Sequence, residues 1–120
     1  MRNILEQDKN WFFELYTKYK DELDSIPEEV WKNTNYKIIC IPYNAFLVYS
    51  RLSDGTTVIN ALVSEIDGGG SLLINSLNSY PILVATKSAG KFYMKNGFSD
   101  FGIICNKKGQ VLYSYIKEHP

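Results

Sequence analysis

Three consecutive glycines lie between two apolar runs, in the stretch Glu-Ile-Asp-Gly-Gly-Gly-Ser-Leu-Leu at residues 65–73. Glycine supplies the positive φ that a tight reversal between two strands requires. The bare backbone amides of a glycine-rich strand-to-helix loop can instead bind a phosphate group. These nine residues alone leave both interpretations open, and a plain turn is the commoner of the two.

Histidine chemistry has little support, because the only histidine is His119, next to Pro120. A Ser-His-Asp triad, a Cys-His pair and a His-rich metal centre are therefore disfavoured, and no metal site is predicted. If the chain is an enzyme, we expect its proton transfers to use Tyr, Glu, Asp or water.

The composition is that of a packed globular protein, with 45% hydrophobic residues in a chain of 120. This length predicts a single domain over residues 1–120. Lys plus Arg equals Asp plus Glu at 13 each, which gives no electrostatic reason to expect nucleic acid or an anionic membrane as partner. No secretory signal or apolar run of membrane-spanning length is visible, so a soluble cytoplasmic protein is expected. Cys40 and Cys105 lie in apolar stretches and are expected to be buried, reduced thiols.

The elements that must position any site follow from apolar spacing. A short strand at residues 2–5 precedes an amphipathic helix whose apolar residues recur every three or four positions from Phe12 to Ile26, with Asp8 and Asn10 as candidate N-caps. A short helix follows Ser25 and ends near Asn33. Residues 36–43, 45–52 and 57–65 read as three strands of an antiparallel meander.

The second half alternates helix and strand. Residues 71–77 are moderately helical, and residues 81–85 form a short buried strand. Ser88 caps another short helix, which has Gly97 at its end as the C′ residue. Residues 101–105 and 111–116 form a final hairpin. The predicted order is β-α-α-β-β-β-α-β-α-β-β, an α+β domain with a mixed, mostly antiparallel sheet.

This order bears on the glycines. A strand at residues 81–85 would lie parallel to the strand that ends at Glu65, and a parallel pair needs a crossover, usually a helix. The helix at residues 71–77 would supply that crossover and leave the glycines at its N-terminus. The balance therefore shifts towards phosphate binding.

Residues 88–98, Ser-Ala-Gly-Lys-Phe-Tyr-Met-Lys-Asn-Gly-Phe, closely resemble a helix signature of the acyl-CoA-dependent N-acyltransferases, the GNAT superfamily. That signature runs small residue, three residues, Tyr, three residues, Gly-Phe. The family's loop after the fourth strand, Arg/Gln-x-x-Gly-x-Gly/Ala-x-x-Leu, falls here on Glu65, Gly68, Gly70 and Leu73. The element order resembles the family over nearly the whole chain, which implies a GNAT-like sheet flanked by helices.

The resemblance implies an acetyl-CoA or other acyl-CoA cofactor and an amine acceptor that attacks the thioester directly. The pyrophosphate would sit on backbone amides near four residues of the predicted helix start: Gly69, Gly70, Ser71 and Leu72. The pantetheine would extend between the fourth and fifth strands. Tyr93 matches the tyrosine that often protonates the departing CoA thiolate.

Several positions have a second interpretation. Tyr93 can be a core aromatic residue, and a solvated helix face is the better interpretation for at least two of the three lysines 87, 91 and 95, of which Lys91 is the candidate phosphate contact. Thr86 stands where many members carry an Asn that hydrogen-bonds the pantetheine. Glu65 replaces Arg or Gln and would repel a pyrophosphate, unless it turns away and acts as general base.

Three functions therefore remain. The first is an N-acetyltransferase for a small-molecule or protein amine. The second is a catalytically inactive GNAT-like binding or regulatory module, and the third is an unrelated α+β interaction domain in which the glycines form only a turn. The acceptor is not identified by the sequence, and exposed C-terminal strands are compatible with a homodimer.

Overall fold

A computed structural model describes all 120 residues, and its elements follow the predicted order. The strands are β1 (Arg2–Asn3), β2 (Lys37–Ile41), β3 (Ala45–Arg51), β4 (Thr57–Ser64), β5 (Ile82–Thr86), β6 (Ser99–Cys105) and β7 (Val111–Lys117). The helices are α1 (Lys9–Lys18), α2 (Pro27–Lys32), α3 (Gly69–Asn75) and α4 (Gly90–Lys95), with short 3-10 helices at Glu6–Asp8 and Lys20–Glu22.

The seven strands form one mixed sheet in the order β1-β2-β3-β4-β5-β7-β6. The pairs β1–β2, β2–β3, β5–β7 and β6–β7 are antiparallel. Strands β4 and β5 are parallel, from Thr57 opposite Ile82 to Ile59 opposite Val84. The predicted crossover is therefore confirmed, because α3 connects the two strands of this parallel pair. The interpretation of the glycines as a hairpin turn is wrong, and the interaction-domain function built on it fails with it.

The chain divides into two compact units, of which the first comprises Met1–Ser50 and Ala61–Leu77. Its core is a cluster of buried side chains from α1, α2 and strands β2 to β4: Trp11, Phe12, Leu15, Tyr16, Val30, Ile38, Cys40, Phe46, Val48, Ala61 and Val63. Phe12 packs 4.7 Å from Phe46, centroid to centroid, and Tyr16 stacks on the same ring at 5.6 Å. The three-and-four spacing that predicted α1 thus selects the face that is buried.

Helix α1 is shorter than predicted, since it ends at Lys18 rather than continuing to Ile26. Leu23 is extended and Ile26 is extended and half exposed, with ψ of 144° and 151°. Pro27 disfavours helical geometry at the preceding residue, which explains the extended backbone at Ile26. Apolar periodicity alone does not show that the helix ends before Ile26.

Asp8 anchors the start of α1 as predicted, although by a different contact from an ordinary cap. It is the N-cap residue, but its carboxylate makes no capping bond to the helix. The buried carboxylate instead accepts hydrogen bonds from the Arg2 guanidinium at 2.6 and 2.9 Å, the Leu5 N–H at 2.8 Å and the Trp11 indole N–H at 2.8 Å. The guanidinium, with both N–H donors, holds the pKa of this carboxyl well below its usual range.

The second unit comprises Arg51–Asn60 and Asn78–Pro120. Strand β7 pairs with β5 on one side and β6 on the other, and α4 packs on this sheet through Tyr93. All seven residues of β6 are exposed, because this strand forms an edge of the sheet. The prediction that Cys105 is buried is therefore wrong, whereas Cys40 is buried as expected; both thiols are free.

No helix is both long and apolar enough to cross a bilayer. No group of three or more His, Cys, Asp or Glu side chains is arranged to hold a metal ion. The assignment of residues 1–120 to a single domain stays a prediction.

Candidate functional site

The predicted site residues divide between the two units. The first unit holds those around the glycines: Glu65, Gly68, Gly69, Gly70, Ser71 and Leu72. The second unit holds Thr86, Lys91 and Tyr93. Each group has its own local geometry.

The glycine loop, residues 65–70, runs from the end of β4 into the first turn of α3. Gly68 is the N-cap of α3 in the left-handed conformation, with φ of 78°, which glycine adopts without steric cost. Gly69 is buried, and a Cβ there would lie within 3.0 Å of the Ser64 Oγ and at 2.8 Å from the Ile66 Cγ1. Glycine is thus required at two consecutive positions for different reasons. Helix α3 starts at Gly69, two residues before the predicted start at residue 71.

The first-turn amides of α3 are partly used within the protein. The Gly69 N–H donates to the Ile66 carbonyl at 3.2 Å, and the Leu72 N–H donates to the Gly68 carbonyl at 3.0 Å. The amides of Gly70 and Ser71 lie between them, at helix positions that have no intrahelical acceptor. The four amides predicted to contact phosphate are therefore reduced to two, and the exposed Leu72 side chain offers only apolar contact.

Glu65 lies at the start of the glycine loop and is paired with α1. Its carboxylate accepts hydrogen bonds from the Lys18 ammonium and from the Tyr19 hydroxyl, the latter at 2.9 Å. The Lys18 ammonium, followed by the Tyr19 hydroxyl, lowers the pKa of the Glu65 carboxyl. The charge that would repel a pyrophosphate is thus balanced by an adjacent cation, and the same pairing makes Glu65 a weaker base.

Tyr93 is buried in the second unit among three aromatic rings. Its ring lies edge-on to Phe92 and Phe98, at centroid distances of 5.2 and 5.3 Å, and nearly parallel to Tyr115 at 6.4 Å. Burial raises the pKa of the Tyr93 hydroxyl well above its usual value, so the group is protonated at neutral pH. The hydroxyl therefore carries a proton, but without a bound cofactor it is a weak acid.

Thr86 and Lys91 lie at the two sides of the loop that leads into α4. The Thr86 Oγ1, at the end of β5, accepts the Ala89 N–H at 3.1 Å and so supports the start of α4. The hydroxyl still has a proton to donate to a ligand. Lys91 is exposed in the first turn of α4.

Sequence reasoning missed three contributors to these groups. Lys18 and Tyr19 are 47 and 46 residues from Glu65, and no local pattern connects them. Tyr115 lies in the last predicted strand, and its ring is so close to Gly90 that a Cβ there would be 2.8 Å from the Tyr115 Cζ and nearer still to its hydroxyl. The only available signal was that a second small residue, Gly90, follows Ala89 in the helix signature.

Comparisons with known proteins complete this description. No protein-family model and no curated protein matches the chain. Among solved structures, Ard1 from Thermoplasma volcanium superposes with a TM-score of 0.77 over 99% of this chain and 96% of its own, at 14% sequence identity. A protein assigned as a streptothricin acetyltransferase from Bacillus anthracis str. Ames, crystallised with acetyl coenzyme A, superposes with a TM-score of 0.61 over 81% of this chain and 70% of its own, at 18% identity.

The chain has the GNAT fold. At 14% and 18% identity, the likeness shows the fold alone. Within that fold, the glycine loop before α3 is the feature that the resemblance of residues 65–73 implies. The parallel β4–β5 pair is the feature that the crossover argument predicted. The resemblance of residues 88–98 corresponds to α4 and the turn after it, where Gly97 has a φ of 91°.

Proposed function

We propose that the chain is an acetyl-CoA-dependent N-acyltransferase that transfers an acetyl group to an amine by direct attack. The observation that carries this proposal is the glycine loop, in which left-handed Gly68 and buried Gly69 and Gly70 lead from β4 into α3. The fold supports it, since it is shared with an acetyltransferase whose crystal structure contains acetyl coenzyme A.

In this proposal the pyrophosphate of acetyl-CoA binds the N–H groups of Gly70 and Ser71. The partial positive charge at the start of a helix attracts anions, and glycine lets a phosphate oxygen approach the backbone closely. Gly68 and Gly69 shape the loop, and Leu72 contacts the cofactor through its exposed side chain. Thr86 donates a hydrogen bond from its hydroxyl to the pantetheine, and Lys91 contacts a phosphate.

The neutral amine nitrogen attacks the thioester carbonyl carbon, a C–N bond forms, and the C–S bond breaks as CoA leaves as a thiolate. Tyr93 gives its proton to the sulfur, and the proton lost by the nitrogen goes to Glu65 or to water. The Lys18 contact lowers the pKa of Glu65 and so makes this carboxylate a weaker base than an unpaired one.

A second candidate function is an inactive GNAT-like module that binds acetyl-CoA without transfer. The observation that favours it is the burial of Tyr93, which makes the phenol a weaker acid than a free tyrosine. A thiol with an ordinary pKa of about 8.5 holds its proton less tightly than this phenol, so the transfer is uphill unless bound cofactor changes the surroundings of Tyr93.

Cofactor binding is tested first, by calorimetry and thermal shift with acetyl-CoA. Ser71→Asp places a carboxylate in the first turn of α3, where it favours the helix dipole but repels a pyrophosphate. A charge about 6 Å from two phosphate charges costs roughly 1.5–3 kcal/mol at an effective dielectric constant of about 40–80, so the Kd should rise about 10- to 100-fold without loss of melting temperature. Asn35→Asp, an exposed change of equal charge in the loop before β2, is the matched control.

Failure of the wild-type chain to bind acetyl-CoA would refute both candidate functions. Equal binding by wild type and Ser71→Asp would refute the placement of the pyrophosphate at α3.

Catalysis is tested by release of the CoA thiol in the presence of a panel of small amines and amine-bearing peptides. Tyr93→Phe keeps the ring contacts with Phe98 and Tyr115 but removes the proton. If Tyr93 is the general acid, kcat should fall by about 10²- to 10⁴-fold while the Kd for acetyl-CoA stays the same. Binding without transfer to any amine would favour the inactive module.

A further inference from the structure

The edge strand β6 lacks most of the devices that protect sheet edges. It forms one end of the strand order, so the outward N–H and C=O groups of its backbone have no partner strand. Protected edges usually carry Lys, Pro or a bulge. Strand β6 has one irregularity, between Asp100 and Gly102, and its sequence Ser-Asp-Phe-Gly-Ile-Ile-Cys contains no Lys and no Pro. The stretch from Gly102 to Cys105 pairs with β7 in regular register and has no partner strand on its outer side, although the Gly102 N–H donates to the Asp100 carboxylate at 2.9 Å.

The hairpin of β6 and β7 also exposes an apolar patch. Ile103 lies opposite Tyr113, and Cys105 lies opposite Val111, so these four side chains share one face of the sheet. The exposed fractions are 68% for Ile103, 51% for Val111 and 45% for Tyr113, and Phe101 is 59% exposed. Exposed apolar residues that are contiguous, rather than scattered, mark interaction surfaces.

The charges around this strand favour another copy of the same strand. Asp100 lies near one end of β6, and the turn with Lys107 and Lys108 follows the other end. In an antiparallel pair of two β6 strands centred on Ile103, Asp100 of each copy lies opposite residue 106 of the other and next to its two lysines. Opposite charges therefore meet at both ends, and the two lysine turns lie far apart. The equal numbers of acidic and basic residues, 13 each, give no net repulsion between copies.

We propose that β6 pairs antiparallel with β6 of a second copy, about a two-fold axis at Ile103, to form a homodimer with a continuous sheet. The two Ile103 side chains lie side by side in this interface, and Phe101 of each copy lies opposite Cys105 of the other. A two-fold axis makes the interface self-complementary, so the outward N–H and C=O groups of one β6 strand pair with those of the other. This proposal does not depend on the proposed function.

The mass in solution tests the pairing. Sedimentation of the wild-type chain over about 1 to 100 µM should give twice the 13.8 kDa of one chain. Ile103→Lys places two like charges side by side at the axis and should weaken the dimer roughly tenfold or more. Leu52→Lys is the control, because Leu52 is comparably exposed, at 49%, outside the hairpin. Both variants should keep the wild-type circular dichroism spectrum and a cooperative unfolding transition, since neither side chain is in a core.

A cross-link tests the register. In the proposed pair, a cysteine in Phe101→Cys faces Cys105 of the second copy at about 5 Å between Cα atoms, which a disulfide can span. Within one chain the same two positions are four residues apart along a strand, roughly 13 Å, which a disulfide cannot span. Mild oxidation should thus convert Phe101→Cys, but not Leu52→Cys or wild type, to a reducible dimer.

A monomeric wild-type mass at every concentration would overturn the proposal and leave this edge for an extended peptide of another protein. A dimer that survives Ile103→Lys unchanged would also overturn it, because the interface would then lie elsewhere. Failure of Phe101→Cys to cross-link more than Leu52→Cys would exclude the register centred on Ile103.

Discussion

The substitution Gly69→Ala tests the close packing at Gly69 separately from the left-handed backbone at Gly68. In Gly69→Ala the new Cβ would lie within 3.0 Å of the Ser64 Oγ and at 2.8 Å from the Ile66 Cγ1. Ile66 is partly exposed and can move. The Ser64 hydroxyl is fixed, because it donates to the Ile66 carbonyl at 2.8 Å and accepts the Ile66 N–H at 3.3 Å. The cost therefore depends mainly on Ser64.

The change in the free energy of unfolding depends on two opposing contributions, the hydrogen bonds lost by Ser64 and the helix propensity gained with alanine. Rotating the Ser64 side chain away gives up one good and one long hydrogen bond, which together contribute about 1–2 kcal/mol. Alanine in place of glycine gains less than about 1 kcal/mol, because position 69 is in the first turn of α3. With some strain in the repacked loop, Gly69→Ala should lower the free energy of unfolding by about 1–2 kcal/mol. For a chain of 120 residues this corresponds to a fall of roughly 4–8 °C in melting temperature.

The assay is thermal and urea unfolding of Gly69→Ala, Ser64→Ala and the double variant. Ser64→Ala removes the closest atom, so Gly69→Ala should be nearly neutral in that background. Gly68→Ala is the control: its Cβ would meet nothing within 4 Å, so its cost of about 1–2 kcal/mol comes from φ of 78° alone and should not change with Ser64→Ala. Additive effects of Gly69→Ala and Ser64→Ala would refute this reasoning.

Two further predictions concern an ion pair and a close approach. Since Arg2 and two N–H donors hold the pKa of Asp8 low, their stabilisation is present above the ordinary carboxyl pKa of about 3.9 and is lost as the pH falls below it. Asp8→Asn should cost about 2 kcal/mol at pH 7 and flatten the acid side of a urea-unfolding pH series; an unchanged slope would contradict this. Gly90→Ala should lower the melting temperature by several degrees and less in a Tyr115→Phe background, which removes the closest atom but leaves Cζ at 2.8 Å. An equal loss in both backgrounds would show that the Tyr115 hydroxyl is not the obstacle.

The element order could be predicted because it depends on local patterns. Apolar spacing identified α1, and β-branched runs identified the meander. The parallel β4–β5 pair was predicted by a topological rule, since a helix between two short strands favours a crossover. Element ends were predicted less well. The apolar period continues beyond Lys18, where α1 ends, and a helical glycine at position 69 moves the start of α3 without changing the period.

Other features depend on contacts between distant residues and could not be predicted. Cys105 lies in an apolar run that reads as buried, yet its strand is at the sheet edge, and strand order is not encoded in the run itself. Exposed apolar residues of an edge strand have the same local pattern as buried ones. The distinction depends on which strand pairs on the outer side, which a second molecule can also provide.

Glu65 illustrates how such a contact changes a functional argument. By sequence alone, a carboxylate in the place of Arg or Gln argues against an anionic ligand at the glycine loop. The structure pairs this carboxylate with Lys18 at the end of α1 and with the hydroxyl of Tyr19, the next residue, so the local charge is balanced. The objection to phosphate binding is therefore weakened, while the lowered pKa of Glu65 argues against its use as a base. The proposed activity therefore depends less on the charge of the glycine loop than on proton transfer, for which Tyr93→Phe is the test.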